Sequence, residues 1–195
     1  MNASCEKTIA CIGQHGIIPV VTLTGMDDAV PLARSLIEGG IPIMEVTFRT
    51  AAALRGMEQI AQSGIGVFLG AGTVLTVDQA KSALNAGARF IVSPGLKKSV
   101  VEYCLANDVA ILPGALTPTE IGEALDMGVE VVKLFPAEAA GGIAYLKAVG
   151  APFPRVRFIP TGGIDETNIV AYMQIPSVLA VGGSWMVKKE LIPST

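Results

Sequence analysis

The feature that most constrains this chain is the return of short, β-rich apolar runs at intervals of about two dozen residues, each followed by a segment of helical spacing. Eight such runs predict strands at Ile17–Val21, Ile43–Phe48, Val67–Ala71, Phe90–Val92, Ala110–Leu112, Val129–Phe135, Arg157–Ile159 and Val178–Val181. Helical spacing falls between them, as at Asp27–Glu38, Ala51–Gln62, Thr76–Asn85, Lys97–Asn107, Thr117–Met127 and Asp165–Met173. Gly39-Gly40, Gly64, Gly87 and Gly128 stand where those helices should stop. Strict alternation with short connections implies a parallel sheet covered by helices. Eight units favour closure, so the reading is a single α/β domain over residues 1–195: a (β/α)8 barrel of the TIM type, with residues 1 to 16 as a preceding amphipathic helix. An open doubly wound sheet is the alternative. Its dinucleotide fingerprint fails, because Gly70-Ala71-Gly72 is followed by Leu75 where the third glycine should fall.

About a dozen residues, Ser184 to Thr195, follow the eighth run, and Pro193 is among them. The last barrel helix is therefore expected to be shortened or missing, either because the chain is truncated or because a partner subunit covers strands 1 and 8. Composition narrows the function. A hydrophobic share of 51% predicts a large buried core, yet no apolar run approaches the roughly 18 residues of a membrane helix, and Glu6 and Lys7 break any signal-peptide layout. The expectation is a cytoplasmic protein that does not engage a membrane. A net charge of −3 and sparse aromatics give no footprint for nucleic acid. Cys5, Cys11 and Cys104 are odd in number and widely spaced, which suits neither a disulfide framework nor a CxxC motif.

Strand parity locates the chemistry. Residues two apart in a barrel strand share a destination, lumen or helix layer. In strand 2 the apolar Met44, Val46 and Phe48 suit the helix layer, which sends Glu45 and Arg49 inward and toward the C-terminal mouth. In strand 6 Lys133 shares parity with Val131 and Phe135, a lone ammonium in an apolar strand. A buried charge is costly unless paired, and burial favours the neutral amine, which can attack a carbonyl. Glu45 is the natural counter-group. The plainer alternative is a structural Lys–Glu pair.

A second signal is glycine placement. Thr161-Gly162-Gly163 follows strand 7 and Gly182-Gly183-Ser184 follows strand 8, where barrel enzymes commonly bind phosphate through backbone N–H groups. Ser184 would add a hydroxyl donor. Each pair alone could be an ordinary turn. Metal-dependent aldol chemistry is disfavoured by inventory, since the only histidine is His15, in the first helix, and no cofactor is called for. For the same reason no Ser-His-Asp or Cys-His nucleophile set assembles.

These motifs together resemble the bacterial 2-keto-3-deoxy-6-phosphogluconate (KDPG) and 4-hydroxy-2-oxoglutarate (KHG) aldolase family. The resemblance covers the whole chain. It is carried by Glu45-Val46-Thr47-Phe48-Arg49-Thr50, Gly70 to Leu75, Ser93-Pro94-Gly95-Leu96, Lys133-Leu134-Phe135-Pro136-Ala137-Glu138, Pro160 to Ile164 and Gly182-Gly183-Ser184-Trp185. It implies an imine between Lys133 and pyruvate, proton shuttling by Glu45, a carboxylate held by Arg49 and Thr73, and a stereochemical influence of Thr161. It implies phosphate binding by Gly162, Gly163, Gly183 and Ser184, apolar walls from Pro94 and Phe135, 2-keto-acid substrates and a homotrimer. The competing readings are a phosphosugar isomerase or synthase using Glu45 as base, and a non-catalytic barrel serving as a binding module.

Overall fold

In a computed structural model of the chain, residues 3–188 are described. Helix α1 (Ala3–His15) precedes an alternation of β1 (Ile17–Val21), α2 (Ala29–Glu38), β2 (Ile43–Thr47), α3 (Ala52–Gln62), β3 (Phe68–Gly72), α4 (Val77–Asn85), β4 (Phe90–Val92) and α5 (Lys98–Ala106). It continues through β5 (Ala110–Leu112), α6 (Pro118–Asp126), β6 (Val131–Leu134), α7 (Gly142–Gly150), β7 (Arg157–Pro160), α8 (Ile169–Met173), β8 (Val181–Gly183) and a 3-10 turn at Trp185–Val187. All ladders are parallel. Six strands form one ribbon in the order β5-β4-β3-β2-β1-β8, and β6 pairs with β7. Two seams join these pieces into a ring: Gly114 bridges to Lys133 between β5 and β6, while Phe158–Val178 and Thr161–Gly182 bridges join β7 to β8. The expected eight-stranded barrel is therefore present, with two thin seams.

Strand parity divides the core in two. Met44, Val46, Leu69, Ala71, Ile91, Ile111, Val132, Leu134 and Phe158 face the helices, where they pack with residues such as Leu32, Met57, Val101, Ile121 and Leu146. Ile18, Ile43, Phe90, Val92, Leu112, Val131 and Ile159 fill the lumen, and Cys5 and Ile12 of α1 pack onto them as a plug. The plug leaves a void of about 10 Å³ beside Cys5, Ile9 and Val131. A barrel closed at its N-terminal end can take substrate only at the opposite mouth.

Two local expectations shift, and one helix appears without a signal. The eighth strand is Val181–Gly183 rather than Val178–Val181, because the ladder to β1 begins at Ile17–Val181 and Val178 makes only an isolated bridge. Gly182 and Gly183 thus belong to β8 instead of following it. Helix α8 starts at Ile169, not Asp165. The Asp165 carboxylate accepts hydrogen bonds from Thr167 N (2.8 Å) and Oγ1 (2.6 Å), and Asn168 Oδ1 accepts from Asp165 N (3.0 Å), a local turn that competes with the first helical turn. Helix α7 opens on Gly141 and Gly142 at positive φ instead of on Ser, Thr, Asp or Pro, so no start signal marks it. After β8 the described residues hold only the 3-10 turn, and the question of a last helix falls on residues 189–195, outside the described ones. No helix among the described residues is long and apolar enough to cross a membrane.

Candidate functional site

Lys133 and Glu45 are drawn together from sequence positions 88 apart. Both are buried, at 6% and 2% exposure, in a lumen that is otherwise largely apolar. Lys133 Nζ donates to Glu45 Oε1 at 3.4 Å. Neither charge is left unpaired, as burial demands. At that length the contact is a loose one, which leaves the amine free to turn toward a carbonyl. Parity had placed Val131 and Lys133 inward, and the backbone places them so: Lys133 N donates to Pro113 O and its carbonyl accepts from Ala115 N, both at 2.9 Å, which pins β6 at the β5 seam.

A missing side chain makes room for the carboxylate. Gly72 pairs with Thr47 across the β2–β3 ladder, and a Cβ built at Gly72 would stand 2.0 Å from Glu45 Oε1. Any other residue there would displace the carboxylate. One position on, Thr73 takes φ 56°, uncommon for a β-branched residue, and its Oγ1 accepts from Arg49 Nε at 3.3 Å. This bond brings Arg49 and Thr73 together at the mouth, just past the ends of β2 and β3.

Arg49, Phe135, Thr161, Gly162, Gly163, Gly183 and Ser184 line one cavity of about 180 Å³, together with Val20, Thr22 and Ile164. Phe135 links it to the buried pair, since its ring centroid lies 5.6 Å from Lys133 Nζ. Gly162 and Gly163 have φ of 98° and 79°, a backbone shape that L side chains rarely adopt. Glycine turns of this kind can bring successive backbone N–H groups toward an anion. Pro94 departs from this set. It lines a separate, mostly apolar hollow of about 280 Å³ with Val74, Leu75, Ser93, Leu96 and Lys97.

Val20 and Thr22 are not singled out in the sequence as site residues, while Ile164 and the buried Thr47 appear there only as members of motifs. Thr47 Oγ1 donates to Val21 O (2.9 Å) and lies 3.0 Å from Thr22 Oγ1, stitching the tops of β1 and β2. The signal for Thr22 was its place one residue past a barrel strand, where catalytic mouths are built. His15 ends α1 at the plugged base, far from this chemistry. Among the described residues no three His, Cys, Asp or Glu side chains come together as a metal-ligand set.

The arrangement suits carbonyl chemistry on a small acid: an amine 3.4 Å from a carboxylate, a guanidinium at the rim, and a glycine-lined cavity. Comparison with known proteins agrees. Residues 9–195 match the model of a family described as KDPG and KHG aldolase. The chain is 54% identical over 176 residues to a 2-dehydro-3-deoxy-phosphogluconate aldolase of Treponema pallidum, covering 90% of this chain and 84% of that protein. A crystal structure of KDPG aldolase from Legionella pneumophila, with pyruvate captured as a covalent carbinolamine intermediate, superposes with a TM-score of 0.91 at 41% identity. It covers 94% of this chain and 89% of that one. The Zymomonas mobilis 2-keto-3-deoxy-6-phosphogluconate aldolase with 3-phosphoglycerate gives 0.90 at 38% identity, covering 94% and 88%.

Proposed function

Because this chain belongs to the KDPG and KHG aldolase family, we propose that Lys133 and Glu45 carry out a class I aldol cleavage at its barrel mouth. The protein is a carbon–carbon lyase. It reversibly cleaves 2-keto-3-deoxy-6-phosphogluconate to pyruvate and glyceraldehyde 3-phosphate, and the smaller 4-hydroxy-2-oxoglutarate to pyruvate and glyoxylate. The observation that carries this reading is the buried Lys133–Glu45 pair, 3.4 Å apart, linked through Phe135 to the glycine-lined cavity.

In the forward direction the free amine of Lys133 adds to the keto carbon, and protonation of the carbinolamine hydroxyl by Glu45 expels it as water, leaving a protonated imine and the Glu45 carboxylate. That cation is the electron sink for breaking the C3–C4 bond. Glu45, directly or through a water, takes the C4 hydroxyl proton as the aldehyde leaves, then returns a proton to C3 of the enamine. Water then hydrolyses the imine and restores the amine. The covalent pyruvate adduct in the Legionella relative supports this course.

Arg49 and Thr73 hold the carboxylate end. Arg49 lies at the rim beside Thr73 Oγ1, and a guanidinium is suited to a planar carboxylate. Phe135 walls the pocket, and Thr161, between Lys133's neighbour strand and the glycines, biases the face of attack. Gly162, Gly163, Gly183 and Ser184 receive the phosphate. The enzyme works in the cytoplasm as a homotrimer, the assembly that its resemblance to the family implies.

The test is turnover. Folded protein should release pyruvate from the phosphorylated substrate, and Glu45→Gln should lower kcat by about a hundredfold or more. A folded preparation that cleaves neither substrate would leave only a binding module.

A further inference from the structure

The Gly162-Gly163 loop has supports that lie outside the cavity. Two backbone bonds run the β6–α7 segment alongside it: Ala137 N donates to Thr161 O (2.8 Å) and Glu138 N to Gly162 O (3.0 Å). The Glu138 side chain is packed so closely on Gly163 that a Cβ there would stand 2.5 Å from Glu138 Cβ. Its carboxylate accepts a hydrogen bond from the Tyr172 hydroxyl of α8, and Tyr172 itself is fully buried. From the other side Asn168 Nδ2 donates to Gly163 O at 3.0 Å, while Asn168 Oδ1 accepts from Asp165 N. Glu138 and Asn168 therefore hold Gly163 directly, and Tyr172 anchors Glu138, around two consecutive glycines at positive φ.

We propose that Glu138, Tyr172 and Asn168 are positioning residues that hold Gly162 and Gly163 in the conformation that receives the substrate's phosphate. The proposal rests on the phosphate reading of those glycines. A free Gly-Gly loop samples many backbone states, and binding through it would have to order them first. Here that ordering is built in. The glycines cannot brace themselves, having no side chains, so the constraint comes from neighbours: Glu138 links the loop to the strand carrying Lys133, and Tyr172 and Asn168 link it to α8. Burial first, and then the Glu138 carboxylate, push the Tyr172 hydroxyl well above the ordinary phenol range, so it stays a donor throughout the neutral region. The brace serves only the phosphorylated end of a substrate. Nothing in it touches Lys133 or Glu45.

The experiment compares kcat and KM for 2-keto-3-deoxy-6-phosphogluconate and for 4-hydroxy-2-oxoglutarate in Tyr172→Phe, Asn168→Ala and Ser184→Ala. Tyr172→Phe keeps the buried ring and removes only the donor; Asn168 is partly exposed and its truncation leaves the core intact. Each should raise KM for the phosphorylated substrate by about fivefold to tenfold, with the unphosphorylated substrate held within about twofold, as expected for one lost charge-assisted or loop-ordering hydrogen bond. Glu138→Gln, which keeps an acceptor oxygen for Tyr172, should lie nearer wild type than Tyr172→Phe. Equal losses on both substrates, or no selective loss, overturn the brace. Ser184→Ala separates the two failures: if it too shows no phosphate-selective effect, the phosphate reading falls and the brace with it. If Ser184→Ala is selective while the others are not, only the brace falls. Should Tyr172→Phe fail to fold, Asn168→Ala decides alone.

Discussion

Glu45 Oε1 stands 3.4 Å from Lys133 Nζ only because nothing occupies the space that a Cβ at position 72 would fill. Gly72→Ala should push the carboxylate out of register with the amine while leaving the β3 ladder paired. We expect kcat to fall about a hundredfold with little change in the circular dichroism spectrum, since misplacing a general acid–base costs rate before it costs fold. Unchanged kcat would mean that the carboxylate does not act from this position. Lys133 and Glu45 were legible in the sequence because a charge in an apolar strand stands out and parity tells which way it points. Gly72 was not, because a glycine's value there is a distance to another side chain. In the sequence it reads as part of a near-miss dinucleotide motif. Pro94 was placed by resemblance alone, and its hollow shares no lining residue with the cavity.

Elements were legible where their ends carry side-chain signals. Helix α6 begins with a full capping box: Thr117 Oγ1 accepts from Glu120 N, and the Glu120 carboxylate accepts from Thr117 N (2.8 Å) and Leu116 N (2.9 Å). Thr117→Ala should cost about 1 kcal/mol in urea unfolding. Hydrogen bonds from the Thr117 backbone, then from Leu116 and the Thr117 hydroxyl, hold the Glu120 carboxyl below its ordinary range against a smaller desolvation effect. A carboxyl depressed in the folded state stabilises above its unfolded value and loses that contribution as pH falls through its folded value. Glu120→Gln should therefore destabilise at neutral pH, and the difference from wild type should vanish in acid below that folded value. A difference that persists there would point to side-chain shape rather than charge. Where the signals are absent or backbone-borne, the sequence misleads. Helix α7 opens on glycines, α8 is delayed by side-chain bonds around Asp165, and β8 ends in two glycines that lower its apparent strand propensity. Gly182 is nonetheless suited to β8, since a Cβ there would stand 2.4 Å from Thr161 Oγ1.

At the scale of the molecule, eight alternating units were enough to specify a closed barrel, because parallel strands need helices on one side and a filled lumen on the other. The sequence could not show how thin the seams are at β5–β6 and β7–β8, where isolated bridges complete the ring. Nor could it show that β6, the strand carrying Lys133, sits at one of them. The homotrimer proposed above is checked by light scattering, which should return three times the chain mass at micromolar concentration; a chain that stays monomeric would contradict it. The central claim, that this barrel works through an imine on Lys133, has a direct test: incubate the protein with pyruvate, reduce with borohydride, and map the modified peptide by mass spectrometry. One reduced pyruvyl group on Lys133, absent when pyruvate is omitted, is the predicted result; no adduct, or an adduct on any other lysine, would contradict the claim.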